Sequence, residues 1–160
     1  MKATYFRNFI FGVEDSLVST VGLLSGVAVA GVAVETIFLT GVVLIFVEAF
    51  SMAAGSFLSE TSAEEFATGK RAVTNRSMLS GFVMFASYFL AGFIPLLPYV
   101  FFEGVSALIL SVSASVLALF VLGVAGGALS RTSILRSALR MAIIGGTAIG
   151  IGVAVGSFLG

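Results

Sequence analysis

Two carboxylates of this chain lie inside long apolar stretches of sequence. Asp15 falls within the run Phe9–Val34, and Glu48 falls within the run Ile37–Leu58. An ionisable group in the middle of a membrane costs about 2.5–3.5 kcal/mol on insertion scales. Proteins that keep such groups commonly use them to move an ion or a proton. The two positions therefore indicate a transport site.

A methionine adds a sulfur atom to these oxygen ligands. Glu48 and Met52 are four residues apart, so they share one face of a helix, and Gly55 leaves that face open. Alkaline-earth ions prefer oxygen ligands, whereas a thioether favours a transition metal such as Fe²⁺. A carboxylate that releases its metal can take up a proton. The residues thus predict metal–proton exchange, with a structural ion pair between Asp15 and Arg140 as the alternative.

The rise of an α-helix predicts how deep these groups lie. Counted from Asn8 at about 1.5 Å per residue, Asp15 lies about 10 Å inside the first apolar segment. Counted back from Leu58, Met52 lies about 9 Å inside the second. The estimate places Asp15 and Met52 at one level and Glu48 one turn deeper.

The composition shows that the segments carrying these side chains must be surrounded mainly by lipid. Of the 160 residues, 59% are hydrophobic and 10% are charged, whereas soluble domains carry about 25% charged residues. The chain has no Cys and no His, which excludes a disulfide, a His or Cys zinc site and a Ser-His-Asp triad within one chain. The net charge of zero gives no reason to expect nucleic acid. No cofactor motif is present, so neither an enzyme nor a resident cofactor is expected.

Five segments are long enough to cross a bilayer as helices. They are residues 8–32, 37–58, 78–101, 104–129 and 135–159, with a polar stretch at 59–77. This pattern predicts one all-α integral membrane domain over residues 1–160. The first segment is expected to stay in the mature protein, because MKATYFRNFIFGVED places charges where a signal peptide is apolar.

The basic residues predict the orientation. All eight fall before the first span, between the second and third, or around the start of the fifth: Lys2, Arg7, Lys70, Arg71, Arg76, Arg131, Arg136 and Arg140. The opposite loops carry only Glu35 and Glu103. Because positive charge marks the cytoplasmic side, we predict a cytoplasmic N-terminus and an outer C-terminus.

The polar stretch 59–77 contains acidic residues that lie close to one helical face. These are Glu60, Glu64 and Glu65. They fit either a solvated extension of the second helix or a mouth that collects cations. On the second interpretation Glu60 and Glu64 are further candidate metal ligands, as is Glu14 in the first span.

Four sequence motifs resemble the vacuolar iron transporter (VIT) family, in the family's order and over nearly the whole chain. They are FGVEDSLVSTVGLLSGVAVAG, EAFSMAAGSFLSETS, GFIPLLPYVF and RSALRMAIIGGTAIGIGVAVGSFLG. The resemblance implies five helices, a cytoplasmic N-terminus and a homodimer whose path runs between the protomers, lined by the first and second helices. It also implies exchange of Fe²⁺, and often Mn²⁺, for protons, which removes metal from the cytoplasm.

By motif, the family's first-helix aspartate falls on Asp15 and its second-helix methionine on Met52. Glu48 has no firm counterpart in the common pattern and resembles an acidic variant of shorter relatives. Many family members insert a long Glu-rich metal-binding domain between the second and third helices, where this chain has only residues 59–77. The short form suggests a prokaryotic plasma membrane.

Two other functions fit the same residues. One is a proton-coupled carrier of another substrate, and the other is a membrane scaffold subunit whose carboxylates are structurally paired. For the leading interpretation, the expected partners are a second copy of the chain, membrane lipid, divalent metal ions and protons.

Overall fold

The computed structural model describes residues 2–69, 73–130 and 132–160. Within these ranges the chain forms helices and no strand, so the predicted all-α class is confirmed. The helices are α1 (Lys2–Val29), α2 (Val34–Thr68), α3 (Asn75–Leu96), α4 (Pro98–Phe101), α5 (Gly104–Leu129) and α6 (Ile134–Leu159). Five segments of the described chain are long and apolar enough to span a membrane, with α3 and α4 together forming the third.

The second helix is much longer than its apolar segment. It runs to Thr68, whereas the predicted span ends at Leu58. It stops at Gly69, which has the left-handed backbone (φ 66°) that commonly ends helices. The polar stretch after Leu58 is therefore largely a helical extension of α2, which was one of its two predicted forms.

The first helix lies at the centre of the bundle and contacts α2, α3, α5 and α6. Two apolar clusters surround it, one around the fully buried Leu24 and Ile45 and the other around Leu17 and Leu119. The second and sixth helices contribute the least buried membrane spans. The central position of α1 places Asp15 inside the bundle, with α2 beside it.

Helices α1 and α6 pack with their backbones in direct contact. A methyl group added at Gly152 would overlap the carbonyl oxygen of Gly22, and one added at Gly156 would overlap that of Gly26. Small residues allow this approach, which is a common way for helices to associate in lipid. The contact holds α1 firmly against α6 over several turns.

A polar contact joins α1, α2 and α3 near the start of α1. Asn8 is buried, and its Nδ2 donates to Ser56 Oγ at 2.8 Å and to Ser80 Oγ at 2.5 Å. The two serine hydroxyls lie 3.1 Å apart and also share a hydrogen bond. This contact sets the register between the antiparallel helices α1 and α2.

The basic residues of the described chain gather at the end of the bundle where α1, α3 and α6 begin. We call it the basic end and define it by Arg7, Arg76, Arg136 and Arg140. Of the other four basic residues, Lys2 is the first residue of α1, while Lys70, Arg71 and Arg131 lie outside the described residues. That the basic end faces the cytoplasm stays a prediction.

Candidate metal site

Asp15 and Glu48 lie at one level of the bundle. The Asn8–Ser56 contact sets the register, and Asp15 lies seven residues after Asn8 while Glu48 lies eight residues before Ser56. At about 1.5 Å of rise per residue, the two carboxylates are level to within about one residue. Both side chains are partly buried and within electrostatic range of each other. The structure therefore brings the two predicted carboxylates together.

Met52 lies about one helical turn nearer the basic end than Glu48, at about 6 Å along α2. The depth estimate from sequence placed Met52, rather than Glu48, level with Asp15, and that part was wrong. It assumed that Asn8 faces Leu58, whereas the hydrogen bond pairs Asn8 with Ser56. A shift of two residues is about 3 Å, enough to exchange the neighbour of Asp15.

Neither carboxylate is neutralised by a cation in the described part of the chain. The ion pairs within 4.0 Å among these residues both involve Arg76, far from Asp15 in the fold. The structural pair of Asp15 with Arg140 is therefore not formed, and Arg140 instead interacts electrostatically with Glu14. Two like charges without a partner in an apolar bundle favour the binding of a cation.

A tyrosine hydroxyl beside the carboxylates was not identified from the sequence. Tyr88 is completely buried, and its Oη shares a hydrogen bond of 2.8 Å with Ser19 Oγ. Ser16 Oγ donates to the Tyr88 carbonyl oxygen at 2.6 Å. The phenol lies within electrostatic range of both Asp15 and Glu48. The signal in the sequence was the tyrosine near the middle of the third span.

A cavity of about 1010 Å³ occupies the basic end of the bundle. Met52, Glu14 and Glu60 contribute to its lining, together with Arg7 and Arg140. Because Met52 lies one turn from Glu48, its thioether stands between this cavity and the two carboxylates. Neither Asp15 nor Glu48 lines the cavity, whose nearest lining residues on α1 and α2 are Glu14 and Met52.

Glu60 and Glu64 connect α2 to the start of α3. Glu60 is buried and lies 2.5 Å from Arg76 Nη2, so the solvated interpretation was wrong for this residue. Glu64 Oε2 accepts a hydrogen bond from Thr74 Oγ1 at 2.5 Å, and its other oxygen lies 4.0 Å from Arg76 Nε. A metal ion at either glutamate would have to compete with these contacts, and both remain predicted ligands.

Replacing Arg76 with glutamine should destabilise the protein, because buried Glu60 would lose its cation. Arg76 is 41% exposed, so we expect a cost of only about 1 kcal/mol. The thermal unfolding midpoint in detergent would measure it. Arg7→Gln is the matched control, since Arg7 has no ion pair in the described chain, and equal midpoints for the two variants would contradict the prediction.

The described part of one protomer does not by itself provide a closed acidic metal site. Within the described ranges, no three Asp, Glu, His or Cys side chains are grouped closely enough to hold an ion. The described chain places Asp15 and Glu48 together, with the Met52 sulfur one turn away.

The five membrane-spanning helices define an integral membrane protein. The acidic pair forms a polar site inside its apolar bundle. The sequence model of the VIT family matches residues 6–79 and 69–157. The chain therefore belongs to the VIT family, a family of membrane transporters.

Two curated relatives come from Arabidopsis thaliana. Vacuolar iron transporter homolog 2.1 is 29% identical over 183 residues, which cover 99% of this chain and 83% of that protein. Vacuolar iron transporter 1 is 40% identical over 74 residues, which cover 46% of this chain and 30% of that protein. The first alignment thus extends over nearly the whole chain, while the second is confined to a part of it.

Proposed function

We propose that this protein exchanges a divalent transition metal, Fe²⁺ and also Mn²⁺, for protons, using Asp15, Glu48 and Met52. The observation that carries the proposal is the pair of level carboxylates without a cation in the described chain. The names of the two relatives, which are iron transporters or their homologue, support iron as the substrate.

The chemistry follows from charge and ligand type. A divalent ion neutralises the repulsion between the Asp15 and Glu48 carboxylates, and the Met52 sulfur favours a transition metal over Mg²⁺ or Ca²⁺. When the metal leaves, a bound proton removes the same repulsion. Metal and protons therefore compete for one pair of oxygen ligands, which is the requirement for exchange.

A second copy of the chain is the proposed source of further ligands. Glu48 and Met52 lie on α2, whose membrane span is only 22% buried within one protomer. A symmetric dimer that pairs α1 and α2 with the partner's α1 and α2 would bring two sets of these residues together. Four carboxylates and two thioethers would then surround the path.

The proposed direction follows from the charge distribution, and the proposed location follows from the short form of the chain. If the basic end faces the cytoplasm, as the positive-inside rule predicts, the cavity opens to the cytoplasm and the protein removes metal from it. We propose the plasma membrane of a prokaryote for this short chain, although the relatives are named as vacuolar proteins of a plant.

Transport in proteoliposomes tests the proposal. The purified protein is reconstituted with a metal-quenched dye and a pH-sensitive dye inside the vesicles. Fe²⁺ should enter while protons leave, and an imposed pH gradient should drive the metal uphill. Metal flux that ignores the pH gradient would contradict proton exchange, and no flux by folded protein would contradict metal transport.

Replacing Met52 with leucine should weaken the preference for transition metals. Leucine keeps the apolar volume but removes the sulfur, so we expect the half-saturating Fe²⁺ concentration to rise about tenfold, or about 1.4 kcal/mol. Competition of Mg²⁺ against Fe²⁺ in the same vesicles gives the measurement. Met84→Leu is the matched control, because Met84 lines the same cavity from α3. An equal change in both variants would rule out a ligand role for Met52.

A further inference from the structure

The outer face of α6 near the basic end combines arginines with apolar side chains. Ala138, Met141 and Gly145 turn towards the bundle and are buried. Arg136 and Arg140, one turn apart, are exposed, as is the apolar Ile143. This side of α6 points away from the helices that the chain itself provides.

A shallow, open hollow of about 650 Å³ lies along this face, and its lining residues come from α6 and from Ser133 just before it. Its lining includes the two arginines together with the apolar side chains of Leu135, Leu139, Ile143 and Ile144. We call it the α6 groove. Its surface is therefore basic at one place and apolar over most of the rest.

The arginines of the α6 groove lack a carboxylate partner within the described residues. Arg136 and Arg140 form no ion pair shorter than 4.0 Å there, and Arg140 only interacts at longer range with Glu14. A guanidinium presents a planar set of donors that fits phosphate oxygens in pairs. Two such groups one turn apart can bind the same phosphate.

The apolar part of the α6 groove extends from the arginines towards the middle of the membrane. Arg136 lies in the first turn of α6, whereas Ile144 lies eight residues further on, about 12 Å deeper. A soluble phosphate would use only the guanidinium groups. A ligand with an anionic head and a hydrocarbon tail would cover both parts.

We propose that the α6 groove binds an anionic phospholipid, with its phosphate against Arg136 and Arg140. One acyl chain then lies along Leu139 and Ile143. Basic grooves at the cytoplasmic boundary of membrane helices suit such headgroups. This lipid site does not depend on the proposed transport function.

The position of Arg140 connects the lipid to the cavity. Arg140 lines both the α6 groove and the large cavity at the basic end, where Glu14 also lies. A lipid phosphate would compete with Glu14 for the charge of Arg140. If the proposed function holds, the lipid therefore alters the electrostatics of the route to Asp15.

Native mass spectrometry of the detergent-purified protein tests the lipid site. We expect the wild type to retain phosphatidylglycerol about tenfold better than phosphatidylcholine. Arg136→Gln/Arg140→Gln should lose this preference, while Arg7→Gln, which removes a charge at the same end but outside the α6 groove, should keep it. Equal retention of the two lipids by the wild type, or an unchanged preference in the double variant, would overturn the proposal.

Two further samples separate the lipid from simpler explanations. Glycerol phosphate at millimolar concentration should not displace phosphatidylglycerol, and displacement would show that the site takes a soluble phosphate instead. Arg136→Lys/Arg140→Lys keeps both charges but loses the planar donors. We expect it to retain a reduced preference, and full retention would contradict the paired phosphate contact.

Discussion

Asp15→Asn is expected to abolish metal transport in a protein that remains folded. Asparagine has nearly the shape of aspartate but no charge, so the bundle keeps its packing while the site loses half of its negative charge. We expect initial Fe²⁺ uptake into proteoliposomes to fall at least about a hundredfold, or about 2.7 kcal/mol. Exchange of protons should be lost to the same extent, because both ions use the same carboxylates.

The control for this variant is Glu103→Gln. Glu103 is an exposed carboxylate at the opposite end of the bundle, so its removal should leave uptake unchanged. Thermal unfolding and size-exclusion chromatography would establish that both variants are folded. Normal uptake by folded Asp15→Asn would refute the assignment of Asp15.

Glu48→Gln extends the same experiment to the residue with the weakest support from the family pattern. Because the structure places Glu48 level with Asp15, we expect a comparable loss of uptake. If uptake stayed normal, Glu48 would be removed from the site, while Asp15 and Met52 would remain.

Gly152→Ala should strongly destabilise the bundle by adding a single methyl group. That methyl would overlap the backbone carbonyl oxygen of Gly22, which cannot move away as a flexible side chain would. We expect a cost of about 1–3 kcal/mol, the usual range for overpacking. Unfolding in a denaturing detergent, followed by circular dichroism, would measure the loss.

The same helix provides the matched control. Gly150 lies two residues earlier, and a methyl group added there meets no atom of the described chain within 4 Å. Since alanine favours a helix over glycine by about 1 kcal/mol, Gly150→Ala should be neutral or stabilising. Equal stability of the two variants would mean that α1 and α6 are not in backbone contact.

The number of membrane spans and their approximate positions could be predicted, because lipid imposes simple requirements on the chain. Each span needs about 20 apolar residues, and its backbone must satisfy its own hydrogen bonds, so long apolar runs become helices. The predicted spans do not give the ends of the helices α1 and α2, since hydropathy marks where lipid begins and not where a helix ends. The extension of α2 to Thr68 is stabilised partly by Arg76 of α3, a contact that no local pattern contains.

The candidate residues of the site could be named from the sequence more readily than their arrangement. Asp15, Glu48 and Met52 stood out because charged and sulfur-containing groups are costly or unusual in apolar spans. Their relative depth was misjudged by two residues, because the pairing of Asn8 with Ser56 sets the register. Tyr88 was missed for a similar reason, as its place beside the carboxylates depends on the packing of α3 against α1.

The sequence by itself determined the membrane environment, the five spans and the candidate metal ligands. These follow from the free energy of each side chain in lipid, which depends on local composition. Only the tertiary structure decided that Glu48 is level with Asp15, that Arg140 interacts with Glu14, and that Glu60 is paired. Such contacts depend on the register and rotation of one helix against another, which are set by packing between residues far apart in the chain.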